Sequence, residues 1–550
     1  MVRNALIIHK NAPAGKGKKH IVPPGREYSE RKGGGRVKKH RENVADSVIF
    51  LTAVSALSQL LSFGYRVAMS RMVGAEVMGL YQLLMSAYAV LQSVTMVGLT
   101  AAVSNLTSQY LARHNGRGAA KALSCALGLF FLLLLPAAAL VLLCSDGISV
   151  YLLGDARTRL GLVLLLPCAA LTGVENLHKH HFYGAGRVRA PAAVDLAEQC
   201  IRAGAVLVLL WAFLPQYPER AAGLIVLGMW VCEVFSSLTL VALVGRWRRK
   251  EGLSGPGESG AVCRRKLAAV ALPIGATALL GNLLGAANAA LIPQKLVEGG
   301  LSRSQALAEF GVVCGMTMPM LAVPTVFLGA VSLVVTPRLA RAAALERGEE
   351  IRALTGRTVR AVSLLALPAM ALMAAAGGDL GVLLFRQERA GEFILPLAGV
   401  MALCCWESAL NSILSGVGRQ RQVAAVSILS GGVQAAVTFS TAAKLGMAGY
   451  VLGAAVSALL GLGLSFYLTE KYTGTRPDWM EWFWMPGLAA LLAGLNARLL
   501  LRVIRDMGMP ALWACLAAMA FGGGVYLAAL QAMGMGWRDR EKDRESTTKG

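Results

Sequence analysis

The chain has 550 residues, of which 55% are hydrophobic and only 15% charged, and its mean hydropathy is +0.56. These values exclude a surface that faces water on all sides, so lipid must cover much of the molecule. The formal charge of +23 does not point to nucleic acid, because the basic residues sit in short segments between apolar stretches rather than along one aromatic-interleaved face. They read as topology signals. Ten cysteines, including the adjacent Cys404 and Cys405, are scattered without C-x-x-C spacing and support neither a disulfide framework nor a zinc site.

Residues 1–45 hold a dozen Lys and Arg with several Gly and Pro. This segment is no signal peptide and reads as a basic disordered cytoplasmic tail, either tethered to anionic lipid or only enforcing orientation. Stretches near 20 apolar residues, enough to cross about 30 Å, follow one another along the rest of the chain. They predict helices at 47–69, 79–103, 122–144, 160–177, 192–214, 222–244, 267–292, 309–335, 358–377, 393–414, 422–444, 448–469, 484–504 and 510–533. With the first residue in the cytoplasm, most Lys and Arg fall in inner turns, such as Arg246 to Lys250 and Arg338 to Arg352, so both termini are expected inside.

The chain repeats itself. Glu175, Gly184, Gly186, Arg187 and Arg189 recur as Glu407, Gly416, Gly418, Arg419 and Arg421, always 232 positions later, as does Pro136 in Pro368. Six helices separate the copies, so both face the same side, which is the plan of a transporter with two lobes around a central cavity. The expected organisation is an all-α polytopic membrane protein of about 14 transmembrane helices. Its parts are an N-lobe at 46–244, a cytoplasmic linker at 245–266, a C-lobe at 267–470, two further helices at 471–533 and a charged tail at 534–550.

The repeated G-x-G-R-x-R lies between two apolar spans, so it is a tight helix-to-helix turn rather than a dinucleotide fingerprint. Arg187, Arg189, Arg419 and Arg421 then serve as inner anchors or contact lipid phosphate at a cytoplasmic entrance. No nucleophile triad, P-loop or H-E-x-x-H helix is present; no enzyme, metal or cofactor is expected. Charges inside spans cost about 2.5–3.5 kcal/mol at a helix centre and so mark candidate sites. Arg66 is either a cavity cation or an interfacial anchor. Glu198 and Arg202, four apart on one helix, read first as an ion pair, and Glu233 reads equally as a proton-coupling carboxylate or a hydrogen-bonding partner. Asn282 and Asn288 lie on a seventh helix that also holds Pro273 and Pro293, and the eighth holds Pro319 and Pro324; the two read as a helix pair that flexes. The asparagines suit a polar substrate group or interhelical bonding, and Gln59 completes the cavity candidates.

The stretches Ser62 to Arg66, Arg71 to Ala75, Gly79 to Tyr81, Tyr183 to Arg189, Leu272 to Pro293, Gly311 to Pro324 and Gly416 to Arg419 resemble the bacterial polysaccharide-exporter branch of the superfamily that unites multidrug extruders, oligosaccharide-lipid flippases and lipid II flippases. The stage V sporulation protein B group is the nearest in pattern. The resemblance implies alternating access and outward carriage of a polyprenyl-pyrophosphate-linked saccharide across the bacterial plasma membrane. Anionic lipids and cell-wall synthesis proteins are then the expected partners, with no nucleic acid. A cation-coupled multidrug exporter is the alternative. Two positions depart from the pattern: a paired basic position is Tyr65-Arg66 here, and a common acidic position is Asn288.

Overall fold

A computed structural model describes residues 44–251 and 254–535; the two expected tails lie almost wholly outside the described residues. Among these, helices and turns account for the secondary structure and no strand occurs. Among the described residues thirteen helices are long and apolar enough to cross a membrane. The first, Ala53–Ala112, has 60 residues, about 90 Å of helix, which is too long for one crossing. Gly74 breaks it with φ 77° and ψ 176°, a conformation that glycine alone adopts without strain. We call the two arms α1 (44–73) and α2 (75–112).

The remaining spans are α3 (Gly116–Leu143), α4 (Thr158–Gly184), α5 (Arg189–Phe213), α6 (Ala221–Glu251) and α7 (Gly260–Glu298). Then follow α8 (303–344), α9 (Gly348–Ala375), α10 (Ile394–Gly416), α11 (Gln420–Leu445), α12 (Met447–Thr473), α13 (Met485–Asp506) and α14 (Ala511–Ala532). Counting both arms of the first helix gives fourteen spans, as expected. Helix α7 runs unbroken through Pro273 and Pro293, so of the two proline-bearing helices only α8 has an irregular backbone. It contains a π-helical stretch at Gly311–Thr317 and a 3₁₀ turn at Val323–Thr325 that holds Pro324. The expected linker at 245–266 is shorter than its sequence suggests, because α6 extends to Glu251 and α7 starts at Gly260.

The 232-residue offset governs packing as well as sequence. Helices α3 and α9 share both boundaries at that offset. Gly186 and Gly418 both have positive φ, 71° and 81°, as a tight turn requires. Gly184 packs on the Ser104 carbonyl and Thr107, and Gly416 on the Thr336 carbonyl and Leu339. The crossing of α2 and α8 maps onto itself: a Cβ on Gly79 would overlap the Leu307 carbonyl, and one on Gly311 the Ala75 carbonyl. Small residues here let two backbones touch.

At the end that bears the α1–α2, α3–α4, α7–α8 and α9–α10 turns, polar contacts cross between the halves. Ser304 Oγ donates to Glu76 Oε2 at 2.6 Å, Arg303 Nη2 to the Leu153 carbonyl at 3.0 Å, and Arg71 Nε to the Leu384 carbonyl at 2.7 Å. Arg157 joins this network by pairing with Glu76 at 2.6 Å and Asp155 at 2.8 Å. Burial acts to raise the Asp155 carboxyl, but hydrogen bonds from Arg157 outweigh it and hold it below its ordinary value. The stabilisation this gives is present at neutral pH and is lost as pH falls through the lowered value.

Candidate functional site

Five helices of the first repeat enclose a polar cavity of about 530 Å³. Helix α1 lines it with Ser55, Ser58, Gln59 and Ser62, whose i, i+3, i+4, i+7 spacing places them on one face. Opposite stand Thr172, Glu175, Asn176 and Lys179 of α4 and Asp195, Glu198, Gln199 and Arg202 of α5, again at helical spacing. Tyr81 and Tyr88 of α2 and Glu233 of α6 complete the wall. Within a membrane span each charge is expensive unless paired, and the pairing is extensive.

Lys179 Nζ lies 2.8 Å from Glu175 Oε1 and 2.7 Å from Asp195 Oδ1. Arg202 Nη2 pairs with Glu198 Oε1 and lies 3.2 Å from Glu233 Oε1, while its Nε donates to Cys232 Sγ at 3.3 Å. Ser236 Oγ donates to Glu175 Oε2 at 2.6 Å. Glu233 Oε2 is buried and takes no hydrogen bond from Arg202 or Ser236, on a residue only 3% exposed. Two triads, Glu198 with Cys232 and Glu233, and Glu175 with Asp195 and Glu198, have ligand atoms close enough to hold a metal ion. Arg202 already sits in the first and Lys179 in the second, so each cluster has a cation of its own. Four carboxylates face these two cations, a formal excess of two negative charges.

The second repeat shows that the fold does not need this cluster. At the 232 offset, Glu175 becomes Glu407, but Lys179, Asp195, Glu198 and Arg202 become Asn411, Ser427, Ser430 and Gln434. Along α6 and α12 the offset shortens to 225, because Ser236 touches Glu175 where Gly461 abuts Glu407, and Glu233 then becomes Ala458. The same helix packing is therefore built from mostly neutral side chains, and the charges of the first repeat are a specialisation.

The structure brings Gln59, Glu198, Arg202 and Glu233 into one cavity and leaves other candidates elsewhere. Arg66 is half-buried outside that lining, and its enclosed Nη1 has no hydrogen-bond partner. Asn288 is buried with Oδ1 unsatisfied, and Asn282 is half-buried earlier on α7. Arg187 lies over the Trp247 ring at 5.4 Å, Arg189 over Phe50 at 5.9 Å and Arg419 over Tyr472 at 4.0 Å, while Arg421 is exposed. Sequence reasoning missed Lys179, which it placed in the turn between spans, and Asp195, which it left unremarked inside the span at 192–214, and it used Glu175 only as a marker of the repeat. Their spacing with Thr172, Glu198 and Arg202 was the available signal.

Residues 44–343 match a family described as polysaccharide biosynthesis protein. The chain belongs to that family. It is 22% identical to "Stage V sporulation protein B" of Bacillus subtilis (strain 168) over 428 residues, 77% of this chain and 82% of that one. Its fold is similar to that of the "Lipid II flippase MurJ, inward closed conformation", with TM-score 0.68 and 11% identity, covering 89% of this chain and 99% of that one. An inward-facing multidrug resistance MATE family transporter of the MOP superfamily gives TM-score 0.60 at 15% identity, covering 78% and 100%. The protein is a multi-pass membrane protein of the polysaccharide biosynthesis family, with the fold shared by these solved structures.

Proposed function

We propose that this chain is a flippase that carries a polyprenyl-pyrophosphate-linked saccharide, a cell-wall, spore-cortex or polysaccharide precursor, from the cytoplasmic to the outer leaflet by alternating access. One observation carries the reading: a membrane-spanning bundle of this family encloses a cavity whose charged groups, Glu175 excepted, are absent from the packing-equivalent positions of its own second half. A sugar headgroup needs such hydrogen-bonding walls to leave water for a low-dielectric passage. In this proposal α1–α6 and α7–α12 are the two lobes and rock about the α2–α8 crossing, and the Glu76, Arg157 and Ser304 ties hold the outer end shut. The decisive experiment depletes the protein and identifies accumulating polyprenyl-linked intermediates by mass spectrometry. The exporter alternative draws support from the excess of carboxylates in the cavity, which suits a cationic cargo. Cation-dependent dye efflux without accumulated intermediates would establish it instead.

In this reading both termini and the turns near Arg187, Arg249, Arg341 and Arg419 are cytoplasmic. Cysteines introduced at these positions in a cysteine-free background are expected to react with an impermeant maleimide only after the membrane is opened. Labelling of the position of Arg249 in intact cells would invert the topology. Arg66 is assigned to substrate phosphate, because its enclosed Nη1 lacks a protein acceptor and a guanidinium can grip two phosphate oxygens. Arg66→Ala is expected to lose growth support at normal membrane abundance, and Arg66→Lys to restore only part. An interfacial anchor would make lysine nearly silent, since it snorkels equally well.

A further inference from the structure

A second cavity, of about 900 Å³, opens where the end of α13 faces the α9–α10 turn, and its walls carry opposite charges of which only Arg505 and Asp379 are seen to pair. On α13, Arg498 and Arg502 are four residues apart, and Arg505 continues the same face one turn on. Like charges at this spacing repel on a helix surface. Arg505 is neutralised by Asp379 at 3.2 Å. Arg498 and Arg502 are exposed and have no ion-pair or hydrogen-bond partner among the described residues. Arg498 lies about 12 Å before the helix end at Asp506, by eight residues of 1.5 Å rise, inside a span and between the exposed Leu495 and Leu499. A cation at that depth is costly unless something anionic reaches it.

Across the cavity the short helix Glu388–Glu392 presents a second repelling i, i+4 pair, Glu388 and Glu392, both exposed. Neither forms an ion pair with Arg498 or Arg502, so the cavity keeps a cationic wall toward the membrane interior and an anionic wall at the turn. We propose that this cavity binds the headgroup of a zwitterionic glycerophospholipid with a primary amine, such as phosphatidylethanolamine. Arg498 and Arg502 take the phosphate, Glu388 and Glu392 take the ammonium, and the acyl chains run along the exposed leucines of α13. The charge order matches that of such a lipid, whose phosphate lies nearer the acyl chains and whose amine lies farther out. Near-neutral balance in the cavity disfavours a multiply charged anion. The site shares no lining residue with the cavity of the first repeat and stands whatever cargo that cavity carries.

The test is native mass spectrometry of the full-length protein in detergent, titrated in turn with palmitoyl-oleoyl phosphatidylethanolamine, phosphatidylcholine, phosphatidylglycerol and inorganic phosphate. Phosphatidylethanolamine is expected to bind at least tenfold more tightly than the other two lipids. Arg498→Ala with Arg502→Ala should abolish that binding. Glu388→Gln with Glu392→Gln, a change confined to an exposed turn, should erase the preference over phosphatidylglycerol while keeping lipid bound. Equal binding of all three lipids would overturn the proposal, as would a preference that survives Glu388→Gln with Glu392→Gln. Competition by millimolar inorganic phosphate would reduce the site to a simple anion pocket and equally overturn it.

Discussion

Arg202→Ala is expected to remove most of the protein from the membrane and to abolish transport by what remains. Arg202 is the cation between Glu198 and Glu233, which are 5% and 3% exposed. Its loss leaves two carboxylates facing each other in a low-dielectric site. Removing one partner of a buried pair costs about 3–5 kcal/mol, a large part of the about 5–15 kcal/mol that holds a typical domain folded. The triple variant Arg202→Ala, Glu198→Gln, Glu233→Gln removes the charges together and should recover abundance without transport, which separates folding from function. Gln434 holds the equivalent place in the second repeat, and Gln434→Ala should change abundance little. The readouts are immunoblotting of membrane fractions and complementation of a depleted strain. Normal abundance with full transport in Arg202→Ala would remove the cluster from the mechanism.

Valine at Gly311 should prevent assembly of the bundle, and valine at Gly79 should do the same. A Cβ at either position runs into a carbonyl of the facing helix, Ala75 for Gly311 and Leu307 for Gly79. Ordinary overpacking of a core costs about 1–3 kcal/mol because side chains can shift. Here the obstacle is backbone on both sides, at a crossing where the repeats meet each other symmetrically, so the helices must move apart. Gly64 has no atom within 4 Å of its Cβ position, and Gly64→Ala is the silent control. Thermal melting in detergent should show a collapse for Gly311→Val and no change for Gly64→Ala. An unchanged melting temperature for Gly311→Val would mean that the α2–α8 crossing is looser than its geometry.

The repeat was legible because offset is a property of the chain: Gly184 and Gly416 recur with their arginines, and the same packing follows them. Span number was legible for a similar reason, since lipid demands long apolar runs wherever the chain crosses it. Turn positions were less so. Lys179 read as a turn residue because hydropathy alone cannot distinguish a charge in water from a charge neutralised across two helices. Which of the two proline-bearing helices carries irregular backbone was not legible either. Pro273 and Pro293 each leave a carbonyl free, yet α7 stays helical from Gly260 to Glu298, and the irregular backbone falls in α8.

By itself, then, the sequence determined that the chain is helical, spans a membrane about fourteen times and is duplicated, because hydrophobic length and self-similarity are local and additive along the chain. Which charges share a cavity was decided only by tertiary structure. Glu198 announces Arg202 at four residues' distance, but its meeting with Glu233 depends on how α5 packs on α6. The clasp of Lys179 between Glu175 and Asp195 likewise depends on α4 against α5. The same holds for the arginines of α13, which become one wall of a charged cavity only when the α9–α10 turn lies opposite. Electrostatic energy falls with distance in space, whatever the separation in sequence, so the pairing of buried charges had to await the fold.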